Sequence, residues 1–369
     1  MTIAVDTRFL AAGRNEAGWN FMEDHIIQLA IKNHDHHFLF ISDKAFDAQH
    51  PFPKNVTILI TGPEIKNSLL KQYWFNYKLP VLLRKHKANV FVATDGICSV
   101  RTKIPQCLLI PDTSFVSVPA YFSKPNARFY KKNMPAFINK AKTVATFSQF
   151  SKTVLVDHYK TDAVTIEMVH NLIAESFMPV SQEEKEIVKE AHADGKEYFL
   201  CPANKNPRSN LLNLLKAFSF FKRRQKSNML LLIAGDPGEA LISDLKTYKF
   251  RNDVKLIPDL SSEELVKITA AAYALVYPVL YEDTGLVPLQ AMQCHVPVIT
   301  SNIGALPELC GDAALYANPG NFEEIAQKMM LVFKDEDAAR ELVKAGMERA
   351  THFHTGRSLW SVIKKAANG

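Results

Sequence analysis

Glu282 and Gln290 stand eight residues apart in the segment YEDTGLVPLQAM, Tyr281 to Met292. The run before it, ALVYPV, reads as a buried strand by its β-branched and aromatic content. Gly285 permits a tight turn and a close backbone approach. Pro288 suits the first turn of a helix, where its missing N–H removes no hydrogen bond. Strand, turn and helix start in that order leave free N–H groups near Gly285 and Leu286, at the positive end of a helix dipole. Such a turn is an anion site suited to a diphosphate. Glu282 lies at its mouth, and Gln290 falls about one turn into the helix, within reach of the same space. Taken singly, Glu282 also reads as an exposed loop carboxylate and Gln290 as an ordinary helix residue.

The elements that must position this turn run through the whole chain. Its 369 residues exceed one ordinary core, so two domains are expected. Hydrophobic residues at 47% and charged residues at 22% fit a soluble globular protein. No apolar run reaches the roughly 18 residues of a membrane helix. The start, MTIAVDTRFL, carries Asp6 inside its apolar run and no basic beginning, so it reads as a buried strand and not as a secretion signal. Cys98, Cys107, Cys201, Cys294 and Cys310 show no CxxC spacing, which favours reduced core residues over a zinc site or disulfide frame.

Short apolar runs alternate with amphipathic segments. TIAVDTRF, HFLFIS, VTILI, NVFVAT, QCLLIP and TVATFS are strand candidates in the first half, and YFLCPA, MLLLIAG, DVKLIP, ALVYPV, VPVITS and AALYA in the second. Between the two series SQEEKEIVKEAHADGKE reads as a linker helix ending at Gly195. Strands alternating with helices make right-handed crossovers onto parallel sheets. The expected fold is α/β, two doubly wound Rossmann-like domains facing across a cleft. The expected division is 1–174, a linker at 175–195, 196–345, and a C-terminal helix at 346–369 crossing back to the first domain. Residues 1–174 hold 21 Lys and Arg against 13 Asp and Glu, whereas residues 175–369 hold 23 against 25. The basic first half suits an acidic contact such as an anionic membrane, or is simply a solvated surface. No nucleic-acid motif accompanies the charge.

In order along the chain, IAVDTRFLAAGRNEAGWNF, IPDTSF, ATFSQFSKTVL, VHN, PRSNLLNLLKAF, LLIAGDPGE, DLSSEELVKITAAAYALVYP, YEDTGLVPLQAM and PVITSNIGALPELCGDAALYANPGNFEEIA resemble the retaining GT-B glycosyltransferases of family four. The resemblance covers nearly the whole chain. It implies a metal-independent hexosyltransferase without a cofactor, moving a sugar from a nucleotide-diphosphate donor to a glycan or lipid-linked acceptor in cell-surface polysaccharide synthesis. Such a protein is expected in the cytoplasm, at the inner face of the plasma membrane. The alternative is a weakened member of the fold that binds nucleotide sugar or a partner.

Residue by residue, the resemblance assigns Glu282 to the hydroxyls of the transferred sugar, and Thr284, Gly285 and Leu286 to the donor phosphate or sugar. Gln290 takes the place of a glutamate that accepts from both ribose hydroxyls. A glutamine oxygen still accepts, without the charge-assisted part, about 1 kcal/mol. The family's diphosphate-neutralising arginine and lysine fall at Asn204 and Ser209, with Lys205 and Arg208 in the same loop as substitutes or as plain surface cations. In IPDTSF, Asp112 matches the acid of a His-Asp pair beside the reacting sugar, and Pro111 replaces the histidine, with His170 or Ser114 left to compensate. Asn171 matches an asparagine of the domain junction. Gly18 lines the donor-facing loop of the first domain, and Trp19 beside it stacks on acceptor or is buried in the core.

Overall fold

Every short apolar run expected to be a strand is one, and all the pairings are parallel. The computed structural model describes residues 1–11, 19–46, 52–121, 124–258, 260–354 and 358–368. In it β1 (Thr2–Asp6), β2 (His37–Ser42), β3 (Val56–Ile60), β4 (Val90–Ala93), β5 (Gln106–Leu109), β6 (Thr143–Thr146) and β7 (Ile166–Met168) form a seven-stranded sheet in the order β3-β2-β1-β4-β5-β6-β7. β8 (Tyr198–Pro202), β9 (Leu230–Ala234), β10 (Val254–Ile257), β11 (Ala274–Tyr277), β12 (Val298–Ser301) and β13 (Leu315–Ala317) form a six-stranded one in the order β10-β9-β8-β11-β12-β13. A parallel sheet covered by helices on both faces needs continuous apolar strands, and LLLIA of β9 is buried at every residue. β7 escaped the sequence reading because three edge residues carry too little pattern.

The sheets belong to two units. The first takes the described residues up to His170 together with the helix Leu359–Asn368, and the second runs from Asn171 through His354. Residues 346–354 therefore stay with the second unit. So does the charged helix Gln182–Ala193, capped by reciprocal bonds between Ser181 and Glu184 and packed on the helix Ser262–Ala270. Leu359–Asn368 buries Val362, Ile363 and Ala366, and its Lys365 Nζ lies 2.6 Å from the Glu167 carboxylate on β7. Each unit has its own core, around Trp74, Phe75 and Phe91 in the first and Phe199, Phe218 and Phe221 in the second. All five cysteines are free and buried, and burial pushes each thiol up to about 12. Among the described residues no helix is long and apolar enough to cross a membrane.

Strand order reverses direction between β1 and β4 in the first sheet and between β8 and β11 in the second. At such a switch point the loops leaving the two strands diverge, and a crevice opens beyond their C-terminal ends. In the first unit the switch point is filled by Arg8, the second residue after β1. Its guanidinium lies 2.9 and 2.7 Å from the two oxygens of Asp6 and 2.7 Å from Asp95 Oδ2, beyond β4. The fork sits against Phe75, 4.7 Å from the ring centre. A planar guanidinium can meet two carboxylates and an aromatic face together, whereas an ammonium cannot.

Removing Arg8 would strand Asp6, which is 1% exposed, without its partner. Arg8→Ala is expected to destabilise the first unit by ~3–5 kcal/mol, with Arg8→Lys recovering only part. Trp19, Trp74 and Trp360 all belong to that unit, so a urea titration followed by tryptophan fluorescence reads it separately. An unchanged midpoint in Arg8→Ala would refute the assignment.

Candidate functional site

At the second switch point three loops are laced together by their own polar groups. Asn210, left-handed at φ 58°, donates from its side-chain amide to Pro278 O (2.7 Å) and Pro319 O (2.8 Å). Leu280 N donates to Arg208 O at 2.8 Å, and Ser301 Oγ to Val279 O at 2.7 Å. The loops after β8 and β11 are thus fixed to each other on either side of the crevice. Gly304, at φ +61°, brings its chain so close that a Cβ would stand 2.4 Å from Glu282 O, and Ala305 N donates to that same carbonyl at 2.9 Å. Gly285, at φ +60°, starts the helix Leu286–Gln293 against Leu309, whose Cδ1 would lie 2.7 Å from an added Cβ. At Gly304 the obstacle is backbone, so only glycine serves there, whereas at Gly285 a side chain would have to displace Leu309.

The Glu282 carboxylate sits inside the turn that it precedes. Its Oε1 accepts from Thr284 N (2.9 Å), Thr284 Oγ1 (2.7 Å) and Gly285 N (3.2 Å). Its Oε2 accepts from the Tyr277 hydroxyl at 2.8 Å. Burial, and then the charge of Glu282, hold the Tyr277 phenol well above its usual range, so it remains a donor. The Gly285 N–H is therefore not open to an external anion as the sequence led us to expect. A carboxylate three residues earlier in the chain reaches the nest first. What stays available is the first turn proper: Leu286 and Val287 have no carbonyl within the helix to bond, and Pro288 has no N–H.

The other residues expected on the donor lie in the loop after β8 and in the helix Leu286–Gln293, and they differ in what they touch. Asn204 and Ser209, expected on the donor, bond to each other instead. Ser209 Oγ donates to Asn204 O at 3.1 Å and accepts from Asn204 N at 3.3 Å. They close the loop after β8 where the family pattern has cations. Arg208, half-buried, is near enough for its charge to act on the Tyr277 hydroxyl. Lys205 is exposed, its stem beside Gly238 at the start of the helix that follows β9. Gln290 is half-buried one turn into its helix. Asn171 donates from its side chain to the Thr284 carbonyl, which steadies the turn from behind.

Asp112, Pro111 and His170 belong to the first unit. The Asp112 carboxylate accepts from Ser114 N at 2.7 Å and from the Ser114 hydroxyl, holding the short helix Ser114–Ser117. His170 lines a shallow cavity of 430 Å³ with Lys152, Glu167 and Lys365. Gly18 lies outside the described residues, as does the side chain of Trp19. Sequence reasoning missed Tyr277, Asn210 and Gly304. Tyr277 looked like one more apolar strand residue, and only its place at the last position of β11 hints that the hydroxyl leaves the sheet. Asn210 and Gly304 act through backbone geometry, which residue type alone does not announce.

Residues 182–349 match the family described as Glycosyl transferases group 1. The O-antigen chain mannosyltransferase B of Escherichia coli is 28% identical over 247 residues, 66% of this chain and 65% of that protein. A serotype-specific mannosyltransferase, WbdA, of the same organism is 25% identical over 240 residues, 63% of this chain but 29% of that protein. The matched part thus spans less than two thirds of either relative. WaaG, a glycosyltransferase involved in lipopolysaccharide biosynthesis, superposes with a TM-score of 0.79 at 14% identity, covering 100% of this chain and 99% of its own. HepE of Anabaena, solved with UDP-glucose, gives 0.76 at 15% identity, covering 100% and 98%. These likenesses establish the fold, two Rossmann-like α/β domains of the GT-B type.

The close approach at Gly304 generates a stability test. Gly304→Ala sets a side chain against backbone at a positive φ and is expected to cost about 2 kcal/mol or more. Gly320→Ala, whose Cβ would meet only the Asn318 side chain at 3.3 Å, serves as the mild control. Calorimetric unfolding of both variants checks the ranking, and equal melting temperatures would remove the claim that Gly304 clasps Glu282.

Proposed function

We propose, from the match of residues 182–349 to the Glycosyl transferases group 1 model, that the chain is a glycosyltransferase that moves a hexosyl residue from a nucleoside-diphosphate donor to a glycan or lipid-linked acceptor of a cell-surface polysaccharide. Mannose is the first choice of sugar, since relatives along the chain are mannosyltransferases by name. The observation that carries the reading is the Glu282 carboxylate, held by four donors in the turn at the second switch point.

The division of labour follows from the lone pairs. Oε1 already takes three donors and Oε2 one. A carboxylate has about four acceptor sites shared between its oxygens, so Oε2 is the atom with room for a sugar hydroxyl. The N–H groups of Leu286 and Val287 and the helix dipole favour the donor phosphate. Arg208, and Lys205 from the rim, supply positive charge to the departing diphosphate. Gln290 accepts from a ribose hydroxyl. In the transfer the C1–O bond to phosphate breaks while the acceptor oxygen bonds to C1 on the same face. The acceptor proton passes to the departing phosphate oxygen, so configuration is retained without a protein nucleophile. We assign no metal or cofactor to these steps. Asp112, on the first unit, is the candidate for the acceptor side. A lipid-linked acceptor places the enzyme at the cytoplasmic face of the plasma membrane.

A screen of UDP, GDP and ADP at millimolar concentration should raise the melting temperature with at least one of them, by mass action on the folded state. No shift with any would sink the donor site. Glu282→Ala should abolish transfer from nucleotide-diphosphate mannose. Tyr277→Phe should lower the turnover number, with a smaller effect on the Michaelis constant. Gln290→Glu should match or tighten donor binding, whereas Arg208→Ala should weaken it about tenfold, in line with ~1.5 kcal/mol for one charge-assisted phosphate contact. Full-rate transfer by Glu282→Ala excludes the role given to it.

A further inference from the structure

The helical segment from Ser68 to Lys85 presents an apolar line to solvent. Leu69 is 78% exposed, Tyr73 50%, Tyr77 51% and Val81 54%, one at every fourth residue. In an unbroken α-helix a four-residue repeat drifts around the axis by about 40° at each step. Here Trp74–Lys78 is a π turn. A wider turn rotates less per residue and takes out part of the drift, which keeps the four side chains near one line. The same segment buries Trp74, Phe75, Leu79 and Leu83 in the core. The Tyr73 and Tyr77 rings stack at 6.0 Å, and the Arg101 guanidinium lies 4.2 Å from the Tyr77 ring centre. Single exposed apolar side chains are ordinary on soluble surfaces, but a stacked row is not.

The charge around the row is predominantly positive, the exposed carboxylate at its start being Glu64, 3.3 Å from Lys66. From Ile65 to Thr94 the chain has six lysines and arginines and no carboxylate, and from 51 to 150 fifteen against three. Lys66, Arg84, Lys85 and Arg101 are exposed about the row. Lys71 lies 5.0 Å from the Phe129 ring, which joins this segment to the helix Lys124–Lys140 and its four exposed cations between Lys124 and Lys132. A folded partner of mixed surface charge would leave much of this field unmatched. An anionic lipid surface matches both parts: the row enters the headgroup boundary, tyrosines suit that depth, and the long cations reach lipid phosphates.

We propose that this face of the first unit is where the protein lies on an anionic bilayer. The inference rests on the reading above only in taking a membrane as the place of action. It is tested with the full chain and extruded vesicles of phosphatidylglycerol and phosphatidylethanolamine, or of phosphatidylcholine alone, at about 0.15 M salt. The protein should sediment with the anionic vesicles and stay in the supernatant with phosphatidylcholine. The triple variant Leu69→Ser, Tyr73→Ser, Tyr77→Ser should lower the bound fraction about tenfold, as should Arg84→Glu with Lys85→Glu. Three outcomes overturn the proposal. The native chain fails to sediment with anionic vesicles; or both variants bind as it does; or light scattering shows a native dimer that the triple variant dissolves, which makes the row an interface between copies. The nucleoside-diphosphate melting shift is measured on the same samples. Lost vesicle binding with an intact shift in the native chain sinks the docking face alone, and a missing shift with intact vesicle binding sinks the donor site alone.

Discussion

An anion in the turn after β11 is the constraint on which the second unit's site depends. Two consecutive backbone N–H groups and a hydroxyl converge there, at the positive end of a short helix. Left without a negative partner they would repel one another and need water. The chain supplies the partner itself, as Glu282. That choice fixes the neighbours. Tyr277 must end its strand with a hydroxyl, because Oε2 faces the sheet. Residue 304 must be glycine, because its chain crosses directly over the Glu282 carbonyl. Asn171 must hold the Thr284 carbonyl, so that the turn does not unwind around its own carboxylate. A sugar hydroxyl meeting this group finds an acceptor that is already oriented, and preorganised groups need no rearrangement at the moment of reaction.

The loop after β8 carries Asn204 and Ser209 where the family resemblance led us to expect cations. The Asn204–Ser209 pair orders the loop in advance, and Asn210 ties it to the loop after β11. Positive charge is then carried by Arg208, which stands within electrostatic reach of Tyr277, and by Lys205 at the rim. The site exchanges direct charge for a rigid scaffold.

The architecture was legible because parallel strands covered on both faces must be apolar from end to end. LLLIA and HFLFIS fit such strands, and alternation with helices points to parallel doubly wound sheets. The site was legible only where a residue acts through its own chemistry. The turn at Gly285 and the carboxylate of Glu282 before it are visible by type and spacing, whereas Arg208 entered only through the family resemblance. Tyr277 is hidden, since a tyrosine in a strand is ordinary and its hydroxyl matters only once β11 is known to end there. The Asn204–Ser209 pair is hidden as well, because a bond between two loop residues five apart depends on the curvature between them. The occupied state of the Gly285 N–H is hidden for the same reason: whether a nearby carboxylate bends back or points outward is decided by side-chain torsions and not by sequence order.

Positive charge in the first unit is used in two ways that composition cannot separate. Arg8 is drawn into the switch point between Asp6 and Asp95, and Lys71 is drawn onto the Phe129 ring, where burial holds its ammonium below the usual lysine range. Both act inside the unit. The remaining cations between 51 and 150 stay outside with almost no carboxylate interleaved. A soluble surface gains little from such a field, since like charges repel and weaken the compact state. The π turn at Trp74–Lys78 stands just before Pro80, whose missing N–H breaks the α-helical ladder there, and a wider turn accommodates that gap. The turn and the charge share one consequence: four exposed apolar side chains lie near one line in a stretch rich in cations. The charge is the part that folding does not require, and beside an exposed apolar row it argues for a use of this surface.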